Sequence, residues 1–189
     1  EAGFNTDFEY MEDVGFNENG IFKGEESFEF WFKLIPWEDI AIDESELSLI
    51  LTEIMNNKKA IIFNPAYTLM FQSKGFMKIL WDLYPNHPLL LETSFEPLKD
   101  VKQVEKRCFG REGANIKIIE EDGSIEVETS GDYEGHKAIY QEYVSLPTDN
   151  KGNSYQAGVF YVYEGAGLGF RKGSKILDDY AKFVGHIVE

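Results

Sequence analysis

The apolar residues of this chain follow a helical period in two places and strand-like runs elsewhere. Leu47, Ile50, Leu51, Ile54 and Met55 share one face if the segment is helical. Asp43 suits the N-cap, Glu46 holds the capping-box position, and Asn56-Asn57 ends the segment. A second helix is predicted after Ser73, with Phe76, Leu80 and Leu83 on one face and Met77, Trp81 and Tyr84 beside them. Pro85 and Pro88 stop it, because proline cannot donate to the helical ladder. Gly75 in its first turn costs about 1 kcal/mol relative to alanine, tolerable near an end.

Strand character is expected over residues 4–10 and 28–35. The run Glu29-Phe30-Trp31-Phe32-Lys33-Leu34-Ile35 reads as a buried strand, and Asn19-Gly20 as a turn between apolar runs. Ala60-Ile61-Ile62-Phe63 reads as a short strand entering a loop at Asn64-Pro65. From residue 101 the pattern is mainly β. Segments 116–120 and 124–129 flank the hairpin signal Glu121-Asp122-Gly123. Residues 139–146 and 155–163 are further strands, the second preceded by the turn Asp149-Asn150-Lys151-Gly152. Gly165, Gly167 and Gly169 lead into Phe170-Arg171, and residues 183–188 form a terminal strand. Helices early and antiparallel strands late predict the α+β class. With no long linker, low-complexity tract or repeat, residues 1–189 are expected to be a single domain.

Composition narrows the partners. A chain of 189 residues with 15% aromatics can build a real core. A net charge of −16 argues against nucleic acid, whose phosphates need a basic face. It would suit a cationic substrate such as a polyamine, although solubility alone explains it more simply. The one cysteine, Cys108, allows neither an intrachain disulfide nor a cysteine-based zinc site, and predicts a cytoplasmic setting. No apolar run nears the roughly 20 residues that cross a bilayer, and no signal peptide is visible, so no membrane partner is expected. The opening Glu1-Ala2-Gly3-Phe4 lacks a methionine and reads as the interior of a longer protein, with an N-terminal portion missing.

Candidate chemistry concentrates in Lys106-Arg107-Cys108-Phe109-Gly110-Arg111-Glu112-Gly113-Ala114-Asn115-Ile116. Glycines let the backbone bend and approach a ligand closely, and N–H groups turned one way cradle an anion. Lys106 and Arg111 add positive charge in an acidic chain. The segment fits either a lid over nucleotide phosphates or an ordinary hairpin with exposed basic residues. Lys74 opens the second helix, where free N–H groups attract anions; a surface lysine is the plainer reading. Tyr140-Gln141-Glu142-Tyr143 could read an adenine edge and a ribose hydroxyl, or be a plain strand. Gln156 opens the next strand. His87, His136 and His186 stand apart without a nucleophile, no carboxylate spacing suggests a metal cage, and the glycines at 165, 167 and 169 do not match a dinucleotide fingerprint.

Taken together, these segments resemble the glutathionylspermidine synthase family, specifically the C-terminal part of its ATP-grasp synthetase domain. The resemblance runs through Phe32-Lys33-x-x-Pro36-Trp37-Glu38, Asn64-Pro65 to Ser73-Lys74, 79–87 with Leu90-Leu91, Lys106 to Ile116, Tyr140-Gln141-Glu142, Leu146-Pro147 and Tyr155-Gln156. It implies an ATP-grasp-like fold, with antiparallel sheets, flanking helices and a glycine-rich β lid. It also implies ATP contacts at Lys74 and Lys106, at Gly110 and Gly113 in the lid with Glu112 between them, and at Gln141, Glu142, Tyr143, Val144 and Gln156. Lys175, Ile176 and Leu177 correspond to a stretch packing near the nucleotide. Arg111 lies within the lid, and Arg171, a cation after a glycine-rich turn, is placed near phosphate.

The activity implied is ATP-dependent ligation with Mg2+. A carboxylic acid becomes an acyl phosphate, and an amine displaces phosphate to leave an amide. In this family the magnesium ligands and a transition-state arginine come from the N-terminal portion, and residues 1–189 hold no counterpart. Leu34 stands where the characterised synthases have a glutathione-contacting threonine, and no aspartate near Lys182 matches the spermidine-binding one. Both departures argue against those two substrates. Cys108 lies in the lid and is no amidase nucleophile. The fragment alone is expected to be inactive. A non-catalytic nucleotide-binding module of the same fold remains open, as does a phosphotransferase; an upstream Arg-x-Asp followed by Glu-x-Asn would favour the ligase.

Overall fold

The computed structural model describes residues 3–187. The chain divides into two compact units, Glu1–Gln72 and Ser73–Glu189.

In the first unit, β1 (Val14–Asn17), β2 (Gly20–Lys23) and β3 (Glu26–Phe28) form an antiparallel meander. Gly20 opens β2 at φ 144°, a backbone value that side chains rarely adopt. This is why the Asn19-Gly20 turn forms there. β4 (Phe30–Phe32) pairs in parallel with β5 (Ile61–Phe63). A parallel pair needs a long crossover, and α1 (Trp37–Ile42) and α2 (Ser45–Asn56) supply it. α3 (Thr68–Gln72) closes the unit. Leu51 and Ile54 are fully buried, and Leu47, Ile50 and Met55 pack against the same core of Ile21, Trp37, Ile40, Ala60 and Ile62. The predicted apolar face of α2 is therefore the observed one.

Four expectations for this unit are corrected. Residues 4–10 form no strand; Phe4, Phe8 and Tyr10 are exposed, while Asp7 and Glu9 reach Lys23 through ion pairs. The run from Glu29 to Ile35 is not a buried strand. Only Phe30–Phe32 pair, with β5, and Phe32 and Leu34 stay exposed. Asp43 is not an N-cap, because its amide donates to Asp39 O at 2.8 Å and finishes α1. Glu46 closes no capping box; α2 begins without a side-chain cap. The helices α1 and α3 were not expected, being only 6 and 5 residues long.

The second unit opens with α4 (Gly75–Leu83). The Ser73 hydroxyl accepts the Gly75 amide at 3.3 Å, but the N-cap is Lys74, one residue later than predicted, and it makes no side-chain cap bond. Five strands follow: β6 (Thr93–Ser94), β7 (Gln103–Arg107), β8 (Lys117–Ile119), β9 (Ile125–Glu128) and β10 (Ala138–Glu142). They form one antiparallel sheet in the order β6-β10-β7-β8-β9. The Glu121-Asp122-Gly123 turn joins β8 to β9, with Gly123 at φ 84°. The strand predicted over 139–146 ends at Glu142, since past it no ladder continues toward Pro147.

β11 (Ser154–Val162), β12 (Glu164–Gly173) and β13 (Lys182–Val184) make a second antiparallel sheet. Gly165, Gly167 and Gly169 lie inside β12. The predicted terminal strand is shorter than expected: β13 ends at Val184, residues 185–187 are in no strand, and Val188 lies outside the described residues. Helices with mainly antiparallel sheets match the α+β expectation, β4–β5 being the parallel exception. Among the described residues no helix is long and apolar enough to cross a membrane.

Candidate functional site

Successive strand residues point to opposite faces of a sheet, so Lys106 and Arg107, adjacent on β7, serve different sides. The register sets Lys106 opposite Ile139 and Val104 opposite both Gln141 and Ile118. Gln141 also stands opposite Thr93 of β6. One face thus carries Thr93, Val104, Lys106, Ile118, Ile139 and Gln141. Thr93, Ile118 and Ile139 are almost fully buried, so Lys106 extends over an apolar floor.

Hydrogen bonds order this face. Lys106 Nζ donates to Gln141 Oε1 at 2.8 Å. Gln141 Nε2 donates to Thr93 Oγ1 at 3.0 Å, and Thr93 Oγ1 to Leu91 O at 3.0 Å. Both ends of the Gln141 amide are thereby committed. Lys74 arrives from the start of α4. Its amide donates to Cys108 O at 2.8 Å, and its ammonium donates to Gly110 O. The site of a Cβ on Gly75 lies 3.5 Å from Cys108 Sγ, so α4 sits close against the end of β7.

The two ammonium groups sense one another. Burial, then the positive charge of Lys74, push the Lys106 ammonium down to about 8 from an ordinary 10.5. Burial also lowers Lys74, while Cys108 opposes the change. Burial and mutual repulsion both disfavour the charged form of Lys106, and negative charge beside it would act the other way.

The loop after β7 folds back on a second stretch. Glu112 and Gly113 adopt left-handed backbone at φ 54° and 72°, and Ala114 N donates to Arg111 O at 2.8 Å. A Cβ at Gly113 would lie 2.8 Å from Leu177 O and 2.9 Å from Ile176 Cγ2, closer than packing allows. Glycine is therefore required by both torsion and space, and Ile176 and Leu177 lie on the loop. Arg171 holds that stretch from behind, its Nη2 donating to Asp178 O at 3.0 Å. Lys175 pairs with Glu126 and stands 5.4 Å from the Tyr143 ring centre. Lys102 stands 4.8 Å from the same ring.

The predicted site residues therefore gather unevenly. Lys74 is hydrogen-bonded to Gly110 and Lys106 to Gln141, and the two lysines are linked through charge. Gly113, Ile176 and Leu177 form a second contact, and Tyr143 with Lys175 a third. Gln156 stands opposite Arg171 in the β11–β12 ladder, on the other sheet. The side chains of Glu142 and Val144 are exposed. Thr93 was missed by sequence reasoning. It is 48 residues from Gln141, and a lone threonine in a two-residue strand carries no sequence signal.

The family model described as glutathionylspermidine synthase preATP-grasp matches residues 1–189. The chain belongs to the glutathionylspermidine synthase family. Among its relatives, the "Putative acid–amine ligase" of Haemophilus influenzae is 30% identical over 159 residues, covering 78% of this chain and 39% of that protein. The "Bifunctional glutathionylspermidine synthetase/amidase" of Escherichia coli is 31% identical over 107 residues, covering 55% and 17%. The "Trypanothione synthetase" of Crithidia fasciculata is 27% identical over 120 residues, covering 62% and 18%. This family member thus spans from 17% to 39% of the length of these relatives.

Proposed function

We propose that this chain is the C-terminal, nucleotide-binding portion of an ATP-grasp acid–amine ligase, within one domain of a longer polypeptide. The observation that carries the reading is the Lys74–Lys106 pair. Two cations, partly stripped of water and near enough to repel, favour a ligand with several negative charges, and a nucleotide triphosphate tail has them. The apolar floor beneath Lys106 and the glycine-built loop at residues 110–113 suit the same ligand. Relatives named as ligases and synthetases support the class of reaction.

In the full protein, a carboxylic acid would be phosphorylated by ATP and an amine would displace phosphate. Phosphoryl transfer needs positioning and charge neutralisation more than covalent help. Lys74 and Lys106 would hold the phosphates. Gln141 would position Lys106 through its side chain, rather than contact the base with it. The backbone of residues 141–144, with Gln156 and 175–177, would line the nucleotide. Among the described residues no group of three His, Cys, Asp or Glu could hold a metal ion, so none is assigned to the Mg2+ that accompanies ATP, and no step is routed through it. The missing portion of the ligase would supply those ligands, and without it the chain turns nothing over.

Isothermal titration of Mg-ATP tests the reading. The wild-type chain should bind, and Lys106→Met should bind at least about tenfold more weakly, the loss of one charge-assisted contact. Equal heats from the two proteins would overturn it.

A further inference from the structure

The other face of the five-stranded sheet carries a charge array that the nucleotide reading does not use. Register places Arg107 opposite Ala138, Glu105 opposite both Lys117 and Tyr140, and Lys117 opposite Glu128. An antiparallel sheet with one covered face normally turns plain solvated polar residues outward. This face instead holds a largely buried ion pair, Arg107 Nη2 to Glu105 Oε1 at 3.2 Å, with 19% and 12% of the side chains exposed. Burying such a pair is unfavourable unless every polar atom is satisfied, and Arg107 Nε is buried without an acceptor.

Beside it lies a pocket of about 460 Å³, lined by Arg107, Lys117, Glu128, Ser130, Gly131 and Glu134 among others. Its walls are built by tight local structure. A Cβ on Gly131 would lie 2.5 Å from Ala114 Cβ, and Asn115 Nδ2 donates to Gly131 O at 3.1 Å. Lys117 Nζ meets Glu128 at 2.9 Å, and Ser130 and Glu134 line the same pocket.

We propose that this pocket binds a small zwitterion, an amino acid or ω-amino acid, with its carboxylate toward Arg107 and Lys117 and its ammonium toward Glu134. The lining has both signs in balance. A simple anion would be opposed by Glu128, Glu134 and the chain's net charge of −16, and a simple cation by Arg107 and Lys117. A molecule of zero net charge carrying both ends meets neither objection. The site is on the face opposite Lys106 and stands independently of nucleotide binding.

The test titrates glycine, 4-aminobutyrate and 6-aminohexanoate into 15N-labelled protein, with acetate and methylamine as single-charge controls. At least one zwitterion should saturate, shifting amides around Lys117, Ser130 and Gly131, and both controls should bind at least tenfold more weakly. Lys117→Met, half-buried at the rim, and Glu134→Gln, exposed there, should each weaken that zwitterion at least fivefold, whereas Lys106→Met should leave its affinity unchanged. No saturation by any zwitterion up to 50-fold excess over protein at millimolar concentration, equal binding of a control, or indifference to both rim variants overturns the proposal.

Discussion

Replacing Lys106 by methionine separates folding from ligand binding at one atom. The ammonium has an ordinary value of 10.5 and about 8 in the fold, chiefly through burial. At about 1.36 kcal/mol per pH unit, keeping it charged in the fold costs roughly 3 kcal/mol at neutral pH. Methionine removes that cost but leaves Gln141 Oε1 buried without its donor, a loss of about 1–3 kcal/mol. The two effects nearly cancel at pH 7, so a single stability measurement decides nothing. The pH dependence decides it. Below pH 8 the lysine is protonated in both states and the penalty is fully present. As pH rises from 8 toward 10.5, the folded protein releases the proton while the unfolded chain keeps it, so the wild type gains stability. Linkage gives a gain of about 2 kcal/mol from pH 7 to 9.5. Urea denaturation of both proteins at several pH values measures it, with the wild-type minus variant difference cancelling the titrating groups that do not interact with Lys106. A difference that stays constant within about 0.5 kcal/mol across that range would refute the picture of a desolvated ammonium, and with it the reason for expecting a polyanion there.

Two further substitutions test the packing around this site and the core of the first unit. Gly113→Ala should lower stability by about 2–4 kcal/mol in urea denaturation, from left-handed torsion and from overpacking against Leu177 and Ile176; a change under about 0.5 kcal/mol would mean that the loop does not rest on them. Leu51→Ala, at a fully buried position, should cost about 2–5 kcal/mol by the same method and reduce hydrogen-exchange protection of α2; a loss under about 1 kcal/mol would show that α2 does not anchor the first unit's core.

Local chemistry made much of the fold legible. Leu47 through Met55 repeat at 3.6 residues, and that spacing already states which side of α2 is buried. Gly20 and Gly123 mark turns because few other residues tolerate their backbone angles. Lys74 could be placed at a helix start, since the Ser73 hydroxyl and the prolines at 85 and 88 bracket α4. Amino-acid order also carried the family resemblance, through many short segments in one succession. The strand misread over residues 4–10 and the cap misread at Asp43 share a cause: an apolar run or a capping side chain states a local preference, and partners distant in the chain decide whether it is used.

What the tertiary structure alone decided is the company each residue keeps. The cluster of basic residues and glycines from Lys106 could be read from the chain, but not that Lys106 would meet Gln141 across 35 residues, or that Lys74 would come near enough to depress its ionisation. Nor could local order show that Arg107 would turn to the opposite face beside Lys117 and Glu134, or that Gly113 would rest against Leu177 64 positions later. Strand order and register set these meetings. They arise from the burial of whole faces, a property summed over the chain and absent from any short window of it.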